Sequence, residues 1–133
     1  MPPPRRDALR RDHGNAVAEF VLVSGLVLVL GIGVFQLGLA LYVRNTLISC
    51  ASEGARLGAR ADSSPTEGAA RSRDLISRSL SPAYAGGVVA TTTTTTAGVR
   101  VVDVTVSAPV PVIGLLGPSG VMTVQGRAFL ETQ

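Results

Sequence analysis

From Phe20 to Val43 the chain runs for 24 residues without a charged side chain, between Glu19 and Arg44, and only Ser24, Gln36 and the Tyr42 hydroxyl break its apolar and glycine content with hydrogen-bonding groups. At about 1.5 Å rise per residue a helix of this length reaches roughly 36 Å, enough to cross a hydrocarbon core of about 30 Å. The segment predicts a single transmembrane helix. No proline occurs between Arg5 and Ser64, so the helix is expected to continue past the membrane surface as a stem. Ala51, Ala55, Gly58 and Ala59 place small side chains at helical spacing there, and Glu53 is positioned to pair with Arg56.

Glycines at 25, 31, 33, 38, 54 and 58 are costly in a water-exposed helix but common in membrane helices, where they admit a close neighbour. Ser24, Gly31, Gly38, Asn45, Ser52 and Ala59 recur every seven residues. That stripe reads either as a packing seam, with Ser24, Gly31 and Gly38 as its membrane part, or as chance in a glycine-rich span.

Charge is sparse and unevenly placed. The net +3 of the 133 residues comes from arginine alone, and Arg5, Arg6, Arg10 and Arg11 against Asp7 and Asp12 put +2 of it before Gly14. A positive excess beside the first apolar segment places the N-terminus in the cytoplasm and the C-terminal part outside. The rest of the chain has no basic, aromatic-interleaved face, which argues against nucleic acid as a partner. Residues 1–14 read as a basic leader, 15–61 as span and stem, and 62–133 as one small extracytoplasmic domain. The single cysteine, Cys50, forms no internal disulfide.

Met1 to His13 is polar, proline-rich and basic, and is expected to be disordered until recognised. Glu19 sits at the edge of the apolar run, where an ionised carboxylate is expensive unless it has a partner, so it is a functional candidate by default. The alternative is an interfacial glutamate that faces headgroup water and complements the helix dipole.

The order Gly14-Asn15-Ala16-Val17-Ala18-Glu19-Phe20 resembles the processing site of type IV pilins and pseudopilins: a basic leader ending in glycine, then glutamate and phenylalanine at the fifth and sixth positions of the remaining chain. The resemblance implies cleavage by a prepilin peptidase after Gly14, with Asn15 as the new N-terminus, whose amine Glu19 would then compensate. Phe35-Gln36-Leu37-Gly38, Leu41 to Leu47 and Ala51 to Arg56 are similar to the TadE-like proteins of tight-adherence (Flp) pilus assembly, over roughly Arg11 to Arg60. Two positions depart from the family pattern. Ser24-Gly25 stands where members often carry a proline, which implies a less kinked helix, and His13 stands where they often carry a basic residue.

Two other processing signals compete for the same region. A secretory signal would have a shorter apolar stretch followed by a small-residue cleavage site. Leu47-Ile48-Ser49-Cys50 resembles a lipobox, which would make Cys50 a lipidated N-terminus, but Arg44, Asn45 and Thr46 separate it from the apolar run. The bland reading makes Cys50 a small buried residue of the stem.

Ser64-Pro65-Thr66-Glu67 predicts a fresh helix start, with Ser64 as N-cap, proline in the first turn and Glu67 closing a capping box. That helix should run to about Leu80 and is amphipathic enough to need something to pack on. From Gly86 the period changes to two. Thr91 to Thr96 suits either a strand or a loop. Val102, Val104 and Val106 face one side of a clearer strand over 99–107, with Val101, Asp103, Thr105 and Ser107 on the other. Gly114 to Gly120 reads as a turn, and 121–130 as the last strand with Met122, Val124, Ala128 and Leu130 inward. The fold class is α+β: a long N-terminal helix and stem, one short amphipathic helix and a small antiparallel sheet, pilin-like in outline.

No paired-cysteine metal site, phosphate loop or activated nucleophile is found, and His13 is the only histidine. The chain is expected to be neither an enzyme nor a holder of cofactor, metal or small-molecule substrate. The expected function is that of a minor pilin or pseudopilin of a tight-adherence pilus, single-pass in the cytoplasmic membrane or carried into a surface pilus. Its expected partners are the membrane, the prepilin peptidase and other pilus proteins. The rivals are a signal-anchored extracytoplasmic binding module, the lipoprotein processed at Cys50 and, more remotely, an extracytoplasmic enzyme.

Overall fold

The computed structural model describes residues 6–112 and 120–131, with side chains from Gly14 onward. The chain divides into two compact units, Met1–Leu37 and Gly38–Gln133. One helix, α1 (Arg6–Gly58), begins in the first unit and ends in the second. Its start corrects the expectation of a disordered leader, because backbone helix already begins at Arg6, eight residues before Gly14. Asp7, Arg10 and Arg11 stand at helical i, i+3 and i, i+4 spacing, and extending a helix already nucleated by a long apolar run costs little per residue. α1 ends at Gly58, three residues before the expected end of the stem at 61.

Within the second unit, α2 (Pro65–Ser79) starts as its sequence predicts. The Ser64 hydroxyl accepts from the Glu67 amide, and the Glu67 side chain accepts in return from the Ser64 amide. A single 3-10 turn, Pro82–Tyr84, leads into the sheet. Three antiparallel strands follow in the order β1 (Gly87–Thr94), β2 (Arg100–Pro109), β3 (Val121–Phe129). Thr91 to Thr94 belong to the edge strand β1, paired with Asp103 to Arg100. At Thr95 the chain turns, where the Gly98 amide donates to the Thr95 carbonyl at 2.9 Å and Gly98 takes a φ of 80°. A side chain there would strain the backbone, hence glycine. The turn expected at Gly114 to Gly120 lies almost wholly outside the described residues.

The core is shared between helices and sheet. Val102, Val104 and Val106 of β2 are fully buried, with Val88 and Val124 from the flanking strands and Ile76 from α2. The stem supplies six more: Val43, Leu47, Cys50, Ala51, Ala55 and Ala59 lie in the same cluster. Stem and α2 cover one face of the sheet. Arg73 of α2 donates to the Val88 carbonyl of β1 at 2.8 Å. On the β3 side a Cβ added to Gly126 would run into the stem backbone at Ala51 and Ser52.

The other sheet face is buried in part as well. Val101 and Asp103, on the face opposite Val102, Val104 and Val106 as expected, are buried at 4 % and 7 % exposure, β2 being the central strand with a neighbour on each side. Asp103 is directly opposite Arg127 and accepts from its guanidinium at 2.6 Å.

The stem's burial sets a first expectation. Leu47 and Val43 alone contribute on the order of 1.5–3 kcal/mol each through burial, a large fraction of the total stability of a small domain, which is about 5–15 kcal/mol. A fragment beginning at Ser63 should fail to give dispersed amide resonances, whereas one beginning at Gly38 should give them.

A second concerns pH. Hydrogen bonds from the Ser63 hydroxyl, then the Ser64 amide and hydroxyl, hold the Glu67 carboxyl below the ordinary carboxylate range. A depressed carboxyl stabilises the fold above its unfolded-state pKa, and this contribution is lost as pH falls through the folded-state value. Glu67→Gln should flatten that acid limb in thermal unfolding. Ser64→Ala should cost about 1 kcal/mol at neutral pH.

Candidate functional site

α1 is both the longest element and the most exposed one. The helix from Gly14 to Gly58 is long and apolar enough to cross a membrane, its most apolar window having a mean hydropathy of 2.5 and no residue buried within the protein. Phe20, Val21, Leu22, Leu26, Leu28, Leu30 and Phe35 are each more than half exposed. A surface of this kind is incompatible with water and calls for lipid or neighbouring apolar helices.

The candidate residues at its start share one stretch. Gly14, Asn15, Glu19 and Phe20 are exposed on continuous helix. Asn15 and Glu19 are four residues apart, so both lie on the same face. Among the described residues Glu19 has neither a hydrogen-bond nor an ion-pair partner in this chain. Gly14 itself is eight residues inside the helix, so a peptidase that reads an extended peptide would have to unwind the turns around it.

The seven-residue stripe divides in two. At Gly25, Gly31, Gly33 and Gly38 an added Cβ would meet nothing within 4 Å, and Ser24 is exposed. These positions of the stripe are open. Ala59, in contrast, is buried at the sheet end, and Ser52 is half-buried. The close approach inside the chain is made by glycines outside the stripe. A Cβ at Gly54 would stand 2.5 Å from the Gly68 carbonyl oxygen and collide with the Ser72 hydroxyl, and one at Gly68 would stand 2.5 Å from the Gly54 oxygen and 3.1 Å from the Gly58 Cα. Stem and α2 thus cross backbone on backbone. Ser72 closes the crossing, its buried hydroxyl donating to the Cys50 carbonyl at 3.1 Å. Sequence reasoning attributed Gly54 and Gly58 to the helix in general and missed Gly68 and Ser72. The paired spacing Gly54-x-x-x-Gly58 and Gly68-x-x-x-Ser72 was the signal that could have found them.

Cys50 is a buried free thiol in the middle of this packed stem, so processing there would detach Val43 and Leu47 from the core they help to fill. A shallow groove of about 550 Å³ runs beside it, lined by Ile48, Ser49, Ser52, Glu53, Arg56 and Leu75. Glu53 and Arg56 form no ion pair across it, contrary to their spacing. Among the described residues no group of three His, Cys, Asp or Glu side chains is placed to hold a metal ion.

The two classes of glycine make opposite predictions. Gly54→Ala should lower stability by roughly 1–2 kcal/mol, overpacking outweighing the gain in helix propensity. Gly31→Ala should lose none in the isolated chain, and thermal unfolding of both in detergent compares them.

Residues 14–56 match the family described as TadE-like protein. No curated protein and no solved structure matches the chain. The match begins at the candidate processing glycine and ends in the stem, two residues before the end of α1. It supports involvement in tight-adherence pilus assembly in general, and it falls wholly on α1.

Proposed function

We propose that the protein is a minor pseudopilin that helps to assemble or anchor a tight-adherence pilus, held in the cytoplasmic membrane by α1 with its N-terminus inside and the α+β domain outside. The observation that carries this reading is the TadE-like match starting at Gly14, together with Glu19 and Phe20 five and six residues on. A prepilin peptidase would cleave after Gly14 and leave Asn15 as N-terminus. The role of the protein is then packing and not catalysis. Glu19, without a partner among the described residues, compensates an Asn15 amine, its own or a neighbour's, in a setting where an uncompensated charge is expensive. Ser24, which is exposed, and Gly31 and Gly38, where an added Cβ would meet nothing within 4 Å, offer a neighbouring helix a close approach.

N-terminal mass spectrometry of the membrane-extracted protein tests the proposal. A mature chain beginning at Asn15 is expected, and replacing Gly14 by leucine should leave the leader attached. A wild-type chain retaining the leader would favour a simple signal-anchored module. Glu19→Ala should still be inserted and cleaved, since losing a charge lowers the insertion cost, but should cross-link poorly to its partners. Undiminished cross-linking would reduce Glu19 to an interfacial residue.

A further inference from the structure

The hydrogen-bond phase of the sheet determines which backbone groups of β1 are left over. The Thr95 amide donates to the Val99 carbonyl at 2.8 Å, and the Leu130 amide donates to the Arg100 carbonyl at 3.1 Å. Carried along the register with a period of two, the first bond turns the amides and carbonyls of Val89, Thr91 and Thr93 toward β2. The second turns the even-numbered residues of β2 toward β3, which leaves its odd-numbered ones for β1 in agreement with the first. Val88, Ala90, Thr92 and Thr94 therefore direct their amides and carbonyls away from the sheet. At Val88 this is seen directly, because its carbonyl accepts from the Arg73 guanidinium at 2.8 Å. Among the described residues nothing hydrogen-bonds the outer groups of Ala90, Thr92 and Thr94, and Thr91 to Thr94 are exposed.

An open edge of this kind invites another strand, and native sheets blunt it with charge, proline, a bulge or a covering element. β1 contains no charged residue and no proline, and its register with β2 runs unbroken from Gly87 to Thr94. The other edge differs: β3 carries Arg127, and just beyond it the Glu131 amide is tied to the Ala59 carbonyl of the stem. At the Val88 end of the β1 edge stands one cation, Arg73, which is exposed. It takes no part in the ion pairs among the described residues, which involve Arg60, Arg71, Arg78 and Arg127.

We propose that the outer edge of β1, from Ala90 to Thr94, is a docking site for the C-terminal end of another protein. The incoming segment adds to the sheet as an uncharged strand antiparallel to β1 and sets its terminal carboxylate against Arg73. Direction and terminus follow from the edge itself. An antiparallel strand has its C-terminal end at Val88, where Arg73 already holds the carbonyl that a further residue's amide would need. The strand therefore stops just after pairing with Ala90, and a carboxylate oxygen takes the place of that amide. A guanidinium has more N–H groups than the Val88 carbonyl uses, so Arg73 bridges the two oxygens. Charge selects the same occupant, since an edge with a cation at one end and none along Ala90 to Thr94 complements a segment whose charge is its terminus. β1 of a second copy does not, because it continues into Thr95 and the turn and offers Arg73 no carboxylate. The site is independent of whether α1 spans a membrane.

The test titrates the full isotope-labelled chain, in uncharged detergent, with an acetylated peptide of alternating threonine and valine about six residues long. Such a peptide favours a strand and carries no charge but its C-terminal carboxylate. The amides of Ala90, Thr92 and Thr94 should shift and gain protection from hydrogen exchange, whereas those of Thr91 and Thr93, already bonded to β2, should gain little. The same peptide with a C-terminal amide should bind roughly three- to tenfold more weakly, and Arg73→Gln should bring the two to equal affinity. Thr92→Pro removes an outward amide and no bond to β2, so it should keep the dispersed spectrum and lose both peptides. Unchanged Ala90, Thr92 and Thr94 amides up to the solubility limit of the peptide would overturn the docking site. Equal affinity of acid and amide for the unaltered chain would overturn the C-terminal assignment, since any mid-chain strand would then serve as well. Protection of these three amides that is present without peptide and fades on dilution would place a second copy on the edge, and would overturn the proposal too.

Discussion

The crossing of Gly54 and Gly58 with Gly68 is the contact from which the rest of the outer domain follows. With no side chains between the two backbones, α2 lies close enough to the stem for the Ser72 hydroxyl to reach the Cys50 carbonyl. The helix pair then presents one continuous apolar surface, and Ile76 and Ala69 join Leu47, Ala51 and Ala55 in covering the sheet. A larger side chain at the crossing would separate the helices by more than the short side chains of the stem could fill, since well-packed interiors leave few gaps. Small residues in the stem and large β-branched ones in β2 are therefore complementary choices.

This arrangement gives α1 two solvents in succession. From Gly14 to Phe35 every residue is exposed, and the apolar surface of this stretch demands lipid or other helices. From about Leu39 the same helix becomes part of a water-exposed domain's core, and its apolar residues turn to one side. The transition is gradual: Val43 is buried in the domain core while its neighbours Leu41 and Tyr42 are exposed.

The end of the stem is fastened as firmly as its middle. The Glu131 amide donates to the Ala59 carbonyl, and the Glu131 carboxylate accepts from the Ala61 amide. A carbonyl orphaned at the helix C-terminus and an amide of the turn that follows are thereby both satisfied by Glu131, just after β3. On the far face the Arg127–Asp103 pair performs a related service, supplying a cation to a carboxylate that the central strand position buries, although its Oδ1 oxygen has no partner among the described residues.

Much of this was determined by the sequence alone, wherever the physics is local. The uncharged run from Phe20 to Val43, the capping box at Ser64 and Glu67, and the alternation of Val102, Val104 and Val106 each depend on residues a few positions apart, so their periods and caps could be read directly. The resemblance carried by Gly14, Glu19 and the stem pattern was likewise legible, and the family match falls on that stretch. What only the tertiary structure decided are the contacts between residues far apart in the chain. Thr91 to Thr94 became a strand because β2 offered partners, which threonine's β preference could not guarantee. Asp103 became buried because its strand is central, a fact of sheet order and not of alternation. The partnership of Gly54 with Gly68 depends on a turn that folds α2 back along the stem. At the start of α1 the backbone went the other way: the proline-rich, charged leader suggested disorder, but helix propagated back to Arg6 because nothing after Pro4 opposes it.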